Sequence, residues 1–411
     1  MQWKTAALWL AMCISTAVLA DEATEDANSL NAELDMKLGK SPDAVRFATY
    51  NVSLNRRNSG DLARDLNDPS NLQARRIAEI LQIVRPDVVL LNEFDFDSQQ
   101  TAAKRFVTNF LQVAQNGHEP LNYAEVYAAP VNTGVDSEFD LDNNGKLGEA
   151  ADAFGFGYYP GQYGMLVLSR YPIDRDAIRT MRKFLWKDMP NAKLPTSPDD
   201  GAAYYSQDEI DAFRLSSKSH WDVPIIIRKT TVHLLAAHPT PPVFDGPEDR
   251  NGTRNHDEIR LLADYVSPDR SSYIYDDNGK QGGLRKDALF VIAGDLNADP
   301  FGGDSTDSAI RQLTEHPLIN NSVVPESAGG TEQSKKQGGV NLRHKGDPKH
   351  DTADFSDRGR GTGNLRIDYV LPPKNLHIVN AGVFWPTESD ERFELIKASD
   401  HRLVWIDVKV K

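Results

Sequence analysis

Cysteine is nearly missing from this sequence. Of 411 residues only Cys13 is a cysteine, and it lies in the N-terminal apolar stretch. A chain that loses that stretch has no thiol, which excludes disulfides, thiol nucleophiles and zinc–thiolate sites. Long apolar runs are equally scarce. After "TAALWLAMCISTAVLA" no segment approaches the roughly twenty apolar residues a membrane-spanning helix needs. Positive charge is also in deficit, with 46 Lys and Arg against 60 Asp and Glu and a formal net charge of -14. Such a surface offers no broad electrostatic footprint for a long polyanion. No internal repeat is visible.

What is present begins with that first stretch. Lys4 precedes it, and small Val18 and Ala20 stand before acidic Asp21, the pattern of a Sec-type signal peptide over residues 1–20. Together with the lack of disulfides, this predicts a secreted or periplasmic bacterial protein. A lipoprotein-type cut before Cys13 fits less well, because Met12 is bulky. Residues 21–43 are acidic and polar without apolar periodicity and are expected to form a flexible leader, with one folded domain over 44–411.

From Ala44 onward, apolar runs of strand length alternate with helical patterns. Strand candidates include "VRFATYN", "DVVLLNE", "GMLVLS", "VPIIIRK", "TVHLLAAH", "ALFVIAGD", "RIDYVLP", "LHIVNAGVFW" and "HRLVWIDVKV". Helices are expected over 71–84, 98–115, 255–266 and 307–313, with Asn255 as a helix cap. Many strands with few helices predict an α/β fold of two stacked mixed sheets with helices outside. The connections 131–162, 183–222, 239–254 and 325–364 exceed the usual loop length, and on one scaffold they can wall a cleft.

The chemistry collects where apolar strands run out. "RFATYNVS" delivers Asn51, "DVVLLNEFD" delivers Glu93, "TVHLLAAHPTPP" delivers His238, and "VIAGDLNADP" delivers Asp295 and Asn297. "RIDYVLP" carries Asp368, and "ASDHRLVW" brings Asp400 and His401. Each of these has an ordinary reading as a turn-capping or solvated residue. Their recurrence matches what a hard cation needs, since Mg²⁺ or Mn²⁺ takes oxygen ligands and keeps waters that phosphate oxygens displace.

In this order the segments resemble the endonuclease/exonuclease/phosphatase (DNase I-like) superfamily, from Asn51 to His401. "GDLNADP" with the late "SDH" is the specific part, and "YGMLVLSRYPI" matches a further element. The resemblance implies a four-layered α/β sandwich of two stacked mixed β-sheets flanked by helices, and cleavage of a phosphate ester assisted by Mg²⁺ or Mn²⁺. It implies Glu93 as principal metal ligand, Asn51 beside it and Asp400 completing the metal environment. Asp295 and Asn297 would activate water, while His401 paired with Asp368, and separately His238, would hold phosphoryl oxygens or supply a proton. One departure is Ser53 in "YNVS", where some relatives carry an acid, which favours a single metal.

Two loops add candidates. Asp140, Asp142 and Asn144 have the spacing of the first half of a calcium loop, but Ala151 stands where the bidentate acid is expected. The segment is therefore a structural Ca²⁺ site completed by Asp152 or Glu149, or an Asx-rich turn. Arg214, Lys218 and His220 in "FRLSSKSHWDVP", with Arg254 further on, are candidate phosphate contacts; the alternative is a solvated loop anchored by Trp221. The expected function is an exported, metal-dependent phosphoesterase, monomeric and without a transmembrane segment. Its substrate is either nucleic acid or a smaller phosphate mono- or diester. The rival reading is a non-catalytic binding protein that retains the fold.

Overall fold

Two β-sheets lie face to face at the centre of the computed structural model, which describes residues 29–359 and 361–410. The expected signal peptide lies outside the described residues. The strands are β1 (Ala44–Leu54), β2 (Val88–Phe94), β3 (Glu125–Tyr127), β4 (Met165–Ser169), β5 (Arg179–Thr180), β6 (His220–Ile227), β7 (Thr230–Ala237), β8 (Leu289–Asp295), β9 (Ala353–Asp354), β10 (Asn364–Leu365), β11 (Asp368–Leu371), β12 (Ile378–Val383) and β13 (Val404–Lys409). One sheet has the order β12-β13-β1-β2-β4-β3 and the other β11-β8-β7-β6-β5, with β9 and β10 forming a small hairpin-like pair. Both large sheets are mixed: β1–β2 and β7–β8 are parallel and the remaining pairs antiparallel.

The strand period of two decides which side chains meet between the sheets. On β7, Val232, Leu234 and Ala236 face the shared core with Val291 and Ala293 of β8, against Val45 and Phe47 of β1. The alternate residues Leu235, Ala237, Phe290 and Ile292 point outward into a second apolar cluster. That outer cluster is closed by a long helix, Arg250–Tyr265, through Ile259, Leu262 and Tyr265, together with Trp186 and Phe213.

Helices cover the outer faces, giving the four-layered arrangement: α1 (residues 29–38), α2 (Asp61–Asp65), α3 (Leu72–Val84), α4 (Thr101–Phe106), α5 (Gln207–Ala212), α6 (Arg250–Tyr265), α7 (Arg311–Thr314) and α8 (Ala328–Gln337). α3 forms where the sequence places it. Asn71 caps it by accepting from Ala74 N at 3.0 Å, and Ile77, Ile80, Leu81 and Val84 are buried. α4 is shorter than its pattern and continues through a wider turn over Val107–Leu111.

Three local expectations change. Residues 29–38, within the segment expected to be a flexible leader, are helical. Leu34 and Leu38 of α1 pack on the core, Lys37 pairs with Glu326 and Arg392 with Asp35. α6 starts at Arg250, so Asn255 is buried inside the helix and is not a cap. α8 falls in a stretch expected as loop, because "AGGTEQSKKQ" has no apolar stripe. Ser327 caps it at Gly330 N, and Gly329 lets the helix approach the Trp385 carbonyl, which a Cβ would meet at 2.2 Å.

Candidate active site

Strand register builds the site. β11 runs antiparallel to β8 with Asp368 opposite Asp295, so two carboxylates become neighbours across one sheet. In the other sheet β1 and β2 run parallel with Asn51 opposite Asn92. Because β7 and β8 are also parallel, His238 and Asp295 leave the second sheet at the same end. Gly294 permits the closeness of these two strands, since a Cβ there would lie 2.0 Å from the Ala237 carbonyl oxygen. The chain then turns through left-handed residues at Ser53 (φ 47), Glu93 (φ 56) and Asn297 (φ 52). Each costs on the order of 1 kcal/mol, and such strain gathers at functional sites.

The two sheets meet chemically at Asp295. Its Oδ2 accepts from Asn51 Nδ2 at 3.0 Å and its Oδ1 from Asn297 N at 3.0 Å. His238 Nε2 is 3.5 Å and His401 Nε2 3.7 Å from Oδ2. His401 Nδ1 lies 2.9 Å from Asp368 Oδ2, which also accepts from Thr352 Oγ1 at 2.8 Å. The carboxylate fixes the proton on Nδ1 and turns Nε2 toward Asp295. Asp295, Asp368 and His401 bring ligand atoms within 4.8 Å of one another.

Electrostatics separates the two histidines. Burial alone would drive His401 toward neutrality, but Asp368 and Asp295 override it and hold the imidazolium well above the ordinary range. His238 has no such pair. Burial, then repulsion from Lys218 and His401, favours its neutral form, and among the described residues its buried Nδ1 has no partner. Burial raises the carboxyl of Asp295, helped by Asp368 and opposed by His401. Glu93 is likewise raised by burial, against the pull of His401 and Asn51.

The other expected residues divide. Glu93 stands at the end of β2 and accepts from Asn55 Nδ2 at 2.7 Å. Asp400 is exposed and accepts from Ser53 Oγ at 3.1 Å, so the serine that replaces an acid contacts the third expected ligand. Asn297 Nδ2 donates to Pro239 O at 3.1 Å. Of the four expected phosphate contacts, His220 and Arg254 are buried and engaged within the protein. His220 is bound to Ser216 Oγ and Glu258 O; Arg254 donates to Leu215 O, Arg214 O and Phe154 O. Arg214 stacks on Phe154 at 4.0 Å and donates to Asn132 Oδ1, and the ammonium of Lys218 makes no hydrogen bond or ion pair among the described residues, with the charges of Glu258, Glu93 and Asp295 acting on it.

Asp140, Asp142 and Asn144 fold into a tight turn. Asp140 accepts from the amides of Asn144 and Gly145, and buried Asp152 completes a group of carboxylates with Asp140 and Asp142. Asp152 is satisfied by the amides of Leu141 and Glu149.

Residues the sequence did not mark as part of the site hold it together. Asn92 Oδ1 accepts from Asp295 N at 3.2 Å and its Nδ2 donates to Ala237 O at 3.3 Å, so one amide ties β2 to β7 and β8. Asn255 donates to Thr240 O and Leu296 O. Glu258 accepts from Ser217 N at 2.7 Å and Thr240 N at 2.6 Å. A polar residue inside the apolar run "VVLLNEF" was the available signal for Asn92.

The sequence profile described as "Endonuclease/Exonuclease/phosphatase family" matches residues 48–401. The chain belongs to that family, whose members are hydrolases acting on phosphate esters. No curated protein sequence matches it. Among solved structures it is similar to an endonuclease/exonuclease/phosphatase from Beutenbergia cavernae, at 16% identity over 90% of this chain and 72% of that one, with a TM-score of 0.47. A family protein from Leptotrichia buccalis is 14% identical over 89% of this chain and 100% of its own, TM-score 0.47. Sphingomyelinase C from Streptomyces griseocarneus is 15% identical over 89% and 99%, TM-score 0.44.

Proposed function

We propose that this protein is an exported phosphoesterase that uses a divalent cation and in-line attack by water. The observation that carries the reading is the meeting of Asp295, Asp368, His401, His238 and Asn51 at the ends of strands from both sheets. A fold without catalytic work has no need of so many buried titratable groups in contact.

The donor set fits a hard cation. Glu93 has no ion pair among the described residues, and Asp368 Oδ1 is buried without a partner. All the candidate ligands are oxygen donors, the preference of Mg²⁺ or Mn²⁺. Glu93 and Asn51, with Asp400 at the rim, would hold the ion; when bound it polarises the phosphoryl group and lowers the pKa of water. Asp295 takes the proton of the attacking water, helped by a carboxyl already raised by burial and oriented by Asn51 and Asn297. The charged imidazolium of His401, kept so by Asp368, donates through Nε2 to a phosphoryl oxygen.

A small phosphate ester is favoured over duplex nucleic acid by the excess of 60 acidic over 46 basic residues. Export rests on the N-terminal signal pattern. The deciding experiment is product release from plasmid DNA, RNA, a sphingolipid, an inositol phosphate and a chromogenic phosphodiester. Each is run in EDTA, Mg²⁺, Mn²⁺ or Ca²⁺, beside Asp295→Ala. Metal-dependent release, lost in that variant, is the expected result; a folded protein that turns over none of these overturns the reading.

A further inference from the structure

Four neighbouring strands of the second sheet present a row of ionisable groups at one edge: Asp368 from β11, Asp295 from β8, His238 after β7 and Lys218 before β6. The first three belong to the proposed chemistry. The fourth is anomalous, because Lys218 is the one buried lysine among the described residues, 7% exposed, with neither a hydrogen bond nor an ion pair to its ammonium there. Buried Arg46, Arg179 and Arg402 are each paired with a carboxylate and Arg254 with carbonyls, while Arg366 stacks on the Tyr369 ring. The aliphatic stem is buried while the ammonium nitrogen keeps some access to solvent, so its charge is available to an anion that arrives at these strand ends.

The surroundings hold Lys218 in place while leaving its charge free. Ser217 N is bound to Glu258 and Ser217 Oγ to His238 O, and Asn132 N donates to Lys218 O at 2.9 Å. Both oxygens of Glu258 are engaged by backbone amides, so the nearest acid is already used. The register His220↔Ala237 sets Lys218 one strand away from His238. Its side chain is long enough to cross that spacing of about 4.8 Å. The charges of Glu93 and Asp295 both act on it, and it in turn acts on His238.

We infer that Lys218 is a substrate-binding residue whose ammonium takes a non-bridging phosphoryl oxygen on the His238 side of Asp295, opposite the oxygen taken by His401. This rests on the phosphoesterase reading and adds the group that recognises the anion. Two cations rising from different sheets then flank one phosphoryl group, while His238 stays neutral between Lys218 and Asp295.

The test compares wild type, Lys218→Met and Lys218→Arg, as full chains with Mg²⁺, using inorganic phosphate as probe. Calorimetry reads phosphate binding, steady-state kinetics reads KM and kcat on the ester found active, and thermal melting reads Tm. Lys218→Met is expected to weaken phosphate binding and kcat/KM by about 10- to 100-fold, the range for a hydrogen bond to a charged group. Its Tm should not fall below wild type, since among the described residues the ammonium makes no hydrogen bond or ion pair that the substitution would remove, and Lys218→Arg should recover part of the phosphate affinity. A structural lysine gives the reverse: phosphate binding unchanged and Tm lowered in Lys218→Met, which overturns the inference. The two readings fail separately. Undiminished hydrolysis and phosphate binding in Lys218→Met sinks the anion site and leaves the esterase. Phosphate binding that depends on Lys218, in a protein that cleaves no ester, does the opposite.

Discussion

At the residue scale, Asn92 shows how much one buried amide can decide. It sits beside Glu93 in sequence, yet its hydrogen bonds go to Ala237, just before His238, and to Asp295. Asn92→Leu keeps the volume and removes these bonds, leaving buried groups unmet at about 1–3 kcal/mol each. The expected result is a lower Tm, with kcat reduced by about tenfold or more and KM little changed, because misplacement of reacting groups is felt in the chemical step. Asp351 offers a prediction in pH. Burial, then the charges of Asp299 and Asp347, raise its carboxyl to about 8. The folded state thus prefers it protonated, so its full contribution is present below about pH 4, the unfolded value, and is lost as pH rises through 8. Asp351→Asn should therefore stabilise the protein by on the order of a few kcal/mol at pH 8–9, with the gain vanishing near pH 4. Melting curves across that range check it, and equal Tm values at pH 9 would contradict it.

At the element scale, α6 is the clamp behind the site. Its residues Arg254, Asn255 and Glu258 bind backbone groups of the segments that carry Lys218, His238 and Asp295. Glu258→Gln turns one acceptor into a donor facing an amide, so either Ser217 N or Thr240 N loses its partner. The expected cost is about 1–3 kcal/mol, with hydrogen exchange accelerated at Ser217 and Thr240 and unchanged in β1. The sequence shows α6 as an apolar stripe, and the stripe correctly says which face packs inward. It says nothing of the polar residues on that helix, because their partners lie in loops far away along the chain. Asn255 illustrates the difficulty: an Asn before an apolar run is a good cap by local chemistry, and only the tertiary contacts with Thr240 and Leu296 show why it is buried within a turn of the helix instead.

At the scale of the whole molecule, charge and metal act together. Glu93, raised by burial with the charge of Asp295 acting on it, is the carboxylate that a bound divalent cation would relieve. Binding to the folded state alone raises stability by about 2.7 kcal/mol at 100 times the dissociation constant. Tm should therefore rise with Mg²⁺ or Mn²⁺ and fall in EDTA, and Glu93→Ala should blunt the difference. With a net charge of -14, cleavage of a small ester should depend little on salt, whereas any action on duplex DNA should respond strongly. Initial rates between low and physiological salt measure this.

The sequence by itself determined the longer strands, α3 and much of α6, and the strand ends at which chemistry appears, because apolar periodicity and turn residues are local signals. It also marked Asn51, Glu93, His238, Asp295, Asp368 and His401 as candidates for one site. Only the tertiary structure decided which of these touch: that Asp368 faces Asp295, that their charges favour an imidazolium at His401 while burial favours a neutral His238, and that Arg254 and His220 support the scaffold while the ammonium of Lys218 has no ion pair among the described residues. The physical reason is that register, burial and electric field are properties of strands brought together from distant parts of the chain. A side chain's partners and its proton affinity follow from that assembly.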